Sequence, residues 1–194
     1  MPGTLALVGG GEWQDGCVFD RALLDASGAD EVLVVPTAAA YEHPDRLVEG
    51  ATRWFGELGA TVRSLPVLSR ADALRPENVS PMAEARCIYL AGGSPMHLRS
   101  VLKDSPVWDA LVEAWQAGAT VAGSSAGAMV LCDPMVDPRG GALTLGLGLV
   151  DRRGRPGRRV RRRRAQRPQR PVLRPRTRVR GLTTGPSRRC HGED

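Results

Sequence analysis

No apolar run in this 194-residue chain approaches the roughly 20 residues that a membrane-crossing helix needs. The opening Met1-Pro2-Gly3-Thr4 lacks the basic segment and cleavage site of a secretory leader. These two absences set the expectation of a cytoplasmic protein with no membrane partner. Cysteine is scarce and scattered: Cys17, Cys87, Cys132 and Cys190 include no C-x-x-C pair. Nor do they stand at ligand spacing from His43, His97 or His191, so neither a zinc site nor a disulfide framework is expected. Reduced thiols follow, with Cys87 and Cys132 placed in the core and no metal. A dinucleotide fingerprint is missing too. The loop Gly9-Gly10-Gly11-Glu12 would need its last glycine at Gln14, and no clean helix opens after it, so no cofactor is expected.

What is present divides the chain in two. Through residue 150 there are 10 Lys/Arg against 18 Asp/Glu; from 151 to 194 there are 17 arginines against three acidic residues. The overall charge of +6 therefore averages an acidic globular part and a basic tail. The first part is long enough for one domain with a substantial core.

Short apolar runs alternate with helical patterns along residues 1–150. Thr4 to Val8, Glu31 to Val35, Thr61 to Val67 and Cys87 to Leu90 read as strands, as does the run from Ala119 into Gly123. Pro66 marks the third as an outlying strand, whereas Cys87 to Leu90 reads as central. Between them, Leu47, Ala51, Trp54, Phe55 and Leu58 recur at helical spacing, with Pro44 at the start and Gly59 past the end. Phe19, Leu23 and Leu24 mark a helix stopping near Gly28; Met96, Leu98, Val101 and Leu102 mark another. Ser105-Pro106 caps a helix with the stripe Val107, Trp108, Leu111, Val112 and Trp115, ended by Gly118. Residues 70–85 read as short helical pieces, and 142–150 as a glycine-containing strand or turn region.

This alternation predicts an α/β fold: a doubly wound, mostly parallel sheet in three layers, flavodoxin-like in architecture. Ligands of such sheets bind where strands end at their carboxyl termini. Three glycine loops occupy such ends, at 9–12, 92–95 and 123–127, so a common crevice is expected. The last, Gly123-Ser124-Ser125-Ala126-Gly127, fits G-x-S-x-G, in which a sharp strand-to-helix turn exposes the central serine hydroxyl. Small neighbours allow such a turn. The helix start behind it offers free backbone N–H groups, that of Ala126 first, to an oxyanion. The same small residues also suit close packing at any strand–helix junction.

Taken together, Gly9-Gly10-Gly11-Glu12, Leu90-Ala91-Gly92-Gly93-Ser94-Pro95, Gly123-Ser124-Ser125-Ala126-Gly127-Ala128 and Gly146-Leu147-Gly148-Leu149-Val150 resemble peptidase family S51. That family includes dipeptidase E and cyanophycinase, on the class I glutamine amidotransferase-like fold. The resemblance covers residues 4–150 and implies a serine hydrolase that cleaves small peptides next to an acidic residue. It implies Ser125 as nucleophile, with the N–H groups of Gly93 and Ala126 as oxyanion hole. It also implies a histidine base in a Pro-His context shortly beyond Val150. Here that position reads Asp151-Arg152-Arg153-Gly154-Arg155-Pro156. Impaired turnover is the expectation, because a serine hydroxyl needs a base to take its proton. His43 and His97 read as surface or packing residues, and Asp133 and Asp137 lie near the region of the acidic triad member without an unambiguous match.

Residues 151–194 carry Arg161-Arg162-Arg163-Arg164 and repeated Arg-Pro pairs, without lysine or aromatic residues. Disorder is expected. One reading is a nucleic-acid-binding arm on a noncatalytic α/β module. The other is a shifted reading frame in GC-rich DNA, since one codon choice for 151–156, read one base later, gives Thr-Gly-Ala-Ala-Val-Pro. The switch falls where the histidine segment is implied, which favours the second reading. An α/β-hydrolase esterase shares G-x-S-x-G but needs a longer chain and an H-G-G-G-type segment. An amidotransferase proper needs cysteine at position 125. A homodimer is compatible with the sequence, which does not fix the oligomeric state.

Overall fold

The computed structural model describes residues 1–151 together with 153, 155 and 157. Five parallel strands form its sheet: β1 (Leu5–Val8), β2 (Glu31–Val35), β3 (Thr61–Ser64), β4 (Cys87–Leu90) and β5 (Thr120–Ser124). Their spatial order is β1-β5-β4-β2-β3, which puts β4 in the middle and β3 at an edge, as expected. β3 ends at Ser64, before Pro66, whose missing N–H excludes it from a ladder.

Helices cover both faces, giving the doubly wound α/β architecture. α1 (Phe19–Ser27) and α2 (Pro44–Glu57) lie on one face; α3 (Arg70–Ala73), α4 (Val79–Glu84), α5 (Pro95–Leu102), α6 (Pro106–Ala117) and α7 (Ala126–Leu131) lie on the other. The strand period of two sorts the residues between them. Val32, Val34, Cys87, Tyr89 and Ala122 join Leu23, Leu24, Ala51 and Phe55 in one core. Leu33, Val35, Ile88, Leu90 and Val121 point the other way, to Leu98, Leu102, Leu111, Trp115 and Val130. Each fully buried large apolar side chain contributes about 1.5–3 kcal/mol, so both faces hold the sheet.

Local chemistry sets the helix ends. Ser105 is buried, accepts from Trp108 N at 3.1 Å and donates to Leu102 O at 2.8 Å. At the other end of α6, Gly118 takes φ 115°, a left-handed value that suits glycine. Ser94 caps α5 by accepting from His97 N at 3.3 Å, with Pro95 at the first helical position. Beyond α7, β6 (Cys132–Asp133) pairs with β9 (Val150–Asp151), and β7 (Met135–Val136) with β8 (Leu143–Thr144). Cys87 is buried, but Cys132 is only half-buried, at the margin of the core, because it heads a two-residue strand outside the main sheet.

The reading of 151–194 falls outside the described residues, apart from Asp151, Arg153, Arg155 and Gly157; His191 lies there as well. Among the described residues no helix is long and apolar enough to cross a membrane.

Candidate active site

Because β1, β5 and β4 are neighbours, the loops after them converge at one rim of the sheet. Ser125 stands there, between the last residue of β5 and the first of α7. Its backbone has φ 48° and ψ −109°, a left-handed φ that a non-glycine residue rarely adopts and that surrounding structure must enforce. The enforcing contacts are visible. Ser125 N donates to Val8 O at 3.0 Å, and Met129 N donates to Ser125 O at 2.9 Å. A β-carbon on Gly123 would stand 2.6 Å from the Gly127 carbonyl carbon, and one on Gly127 would collide with the Leu90 carbonyl. Glycine at 123 and 127 thus lets strand, turn and helix close up, while Ser125 itself stays half-buried.

The second loop lies against the serine. A β-carbon on Gly92 would be 3.5 Å from Ser125 Cβ, and the nearest atom to one on Gly10 is again Ser125 Cβ, at 4.0 Å. Gly93 follows with φ 130°, and a side chain there would collide with the Ala38 carbonyl. The turn is anchored to the short helical turn that follows β2, Thr37–Ala39, since Ser94 N donates to Ala38 O at 2.8 Å. Ser125, the exposed Gly93 and the buried Ala126 at the start of α7 are therefore carried by adjoining segments of this rim.

Glu12 ties these loops together, although in the sequence only the glycines of its loop carry a signal. Its Oε2 accepts from Ser124 Oγ at 2.7 Å and its Oε1 from Gly92 N at 3.2 Å. Behind it lies a buried polar group. Asp20 is fully buried; its Oδ2 accepts from Trp54 Nε1 at 2.9 Å, and its Oδ1 has no partner. Burial pushes its carboxyl up to about 6, against the Trp54 bond and with a further push from Glu12. Tyr89 packs beside Trp13 and Phe55; burial first, then the Asp20 and Glu12 carboxylates, hold its phenol protonated.

The described histidines sit elsewhere. His97 Nε2 is 2.9 Å from Leu68 O, and its ring meets Tyr41 edge-on at 4.9 Å. His43 is exposed at the start of α2 with φ 56°. Neither is hydrogen-bonded to Ser125. Asp137 pairs with Arg139, which holds its carboxyl at about 2 through side-chain and backbone hydrogen bonds. Cys87 and Cys132 are poor rivals to Ser125, because burial pushes Cys87 up to about 11 and Cys132 upward. Among the described residues no group of three or more His, Cys, Asp or Glu is placed to hold a metal ion.

Residues 5–170 match the model of Peptidase family S51. The chain belongs to this family. Its S51 relatives include a cyanophycinase of Synechococcus elongatus, 29% identical over 131 residues, which are 65% of this chain and 39% of that protein. A cyanophycinase of Nostoc sp. is 28% identical over 133 residues, 68% of this chain and 45% of that protein. The chain thus spans less than half the length of these curated relatives. Among solved structures, a peptidase from an acI-B1 Actinobacterium superposes with a TM-score of 0.70 at 35% identity, covering 77% of this chain and 65% of that one. A peptidase E protein from Listeria monocytogenes, at 20% identity and TM-score 0.52, covers 75% of this chain and 73% of that one and shares the fold.

Proposed function

We propose that this S51 chain is a serine peptidase domain in which Ser125 is the nucleophile and the N–H groups of Gly93 and Ala126 hold the oxyanion. The observation that carries this reading is the backbone of Ser125, forced to φ 48° at a strand–helix junction with Gly92 against it. Such strain persists where the fold needs one side chain presented at one place. Ser125 Oγ adds to the scissile carbonyl, and the two amides meet the charge that develops on its oxygen. The C–N bond then breaks, the departing amine takes up the proton that Oγ has lost, and water hydrolyses the ester.

The proposed substrate is a small peptide, cleaved next to an acidic residue. Turnover is slow, because neither described histidine is bonded to Ser125 and, among the described residues, none stands ready to take its proton. What survives is the rate enhancement from binding and oxyanion stabilisation, which without a triad is about 10³–10⁴-fold over water. The test is hydrolysis of Asp-containing dipeptides by purified protein and by Ser125→Ala. Slow turnover that disappears in the variant supports the reading; equal rates in both refute it.

A further inference from the structure

Glu12 is the side chain that links all three glycine loops of the rim, from sequence distances of 80 and 112 residues. We propose that Glu12 is the positioning residue that holds the Ser125 turn and the Gly92-Gly93 turn in register; this rests on the reading of Ser125 and Gly93 given above.

The chemistry is that of a carboxylate with two acceptor oxygens and two donors to satisfy. Ser124 is fully buried and has one hydroxyl proton, with Glu12 Oε2 at 2.7 Å and Gly9 O at 3.0 Å in range. The nearer, charged acceptor forms the stronger bond. That bond fixes the residue immediately before Ser125. The other oxygen accepts from Gly92 N, the amide immediately before that of Gly93. With its Gly92 neighbour so held, the Gly93 peptide has one orientation instead of several.

The fit is cut to the carboxylate. A β-carbon on Gly92 would stand only 3.0 Å from Glu12 Oε1, so glycine at 92 is what lets the carboxylate reach the backbone. Both oxygens are occupied, so Glu12 acts through Ser124 and Gly92 and not on the substrate. The role matters because the β4–β5 ladder ends at Leu90 and Gly123, before both turns, whereas a nucleophile and its oxyanion donors must keep their separation within about 0.5 Å.

The test uses the full chain and Glu12→Gln, which keeps size and one acceptor oxygen but replaces the other with a donor. Amide hydrogen exchange is followed by mass spectrometry at residues 91–94 and 123–126, with residues 87–90 and 106–117 as internal references. Losing one charge-assisted bond predicts exchange about tenfold faster or more in the two turns, with the references unchanged. A fluorophosphonate probe then reads Ser125, and its labelling rate falls about tenfold in Glu12→Gln while remaining parental in Asp15→Asn, an exposed loop control. Parental exchange in the turns overturns the proposal, as does acceleration spread evenly through the references, which marks a merely structural residue. If the parent protein takes up no probe, the nucleophile reading fails by itself, and exchange still decides the role of Glu12.

Discussion

Trp54 Nε1 donates to Asp20 Oδ2 at 2.9 Å, joining α2 to α1 across a fully buried carboxyl whose second oxygen has no partner. The bond stabilises the charged form, yet burial outweighs it and leaves the group at about 6 instead of its ordinary 3.8. A carboxyl with a folded-state pKa above its unfolded value favours folding while protonated. That contribution is complete below pH 3.8 and is lost as pH rises through 6. Asp20→Asn keeps an acceptor for Trp54 without the charge. Its stability gain should grow from near zero at pH 3.5 to on the order of 2–3 kcal/mol at pH 7.5, measured by urea unfolding. A gain independent of pH would contradict this.

Gly127→Ala places a methyl group against the Leu90 carbonyl, a backbone atom that cannot turn aside. Overpacking of this kind costs about 3 kcal/mol. Gly50→Ala, in α2 where a β-carbon meets nothing within 4 Å, should be stabilising instead. Thermal unfolding of the two variants beside the parent checks the contrast.

Gly93→Ala adds a side chain at φ 130° that meets the Ala38 carbonyl, so the turn has to move. Under the proposed role of its amide, probe labelling or peptide turnover falls about 100-fold, as for loss of one oxyanion donor. Far-ultraviolet circular dichroism should stay parental. Unchanged activity would remove Gly93 from the oxyanion hole.

Ser105→Ala removes a buried cap that satisfies Trp108 N and Leu102 O together. A loss of about 1–2 kcal/mol in urea unfolding is expected, with no change in the chemistry at Ser125.

The fold was legible because its signals are repeated and local. Pro44 and Gly59 bracket α2, Ser105 and Gly118 bracket α6, and the strand period of two divides Val32 and Val34 from Leu33 and Val35. The Ser125 turn was legible from its small neighbours. What escaped notice depends on long-range contacts or on very short elements. Glu12 looks like the end of a glycine loop until β4 and β5 bring Gly92 and Ser124 to it. Asp20 carries a charge that hides its place in the helical stripe, yet its spacing to Leu23, Leu24 and Ser27 puts it on the buried face of α1. The two-residue strands β6 to β9 are too short to carry a period at all.

Ser125 as a nucleophile has to be a presented, reactive hydroxyl. Native protein incubated with a fluorophosphonate probe should gain one adduct, mapped by peptide sequencing to Ser125 and absent from Ser125→Ala and from urea-unfolded protein. Modification at another residue, or none over hours at millimolar probe, would contradict it.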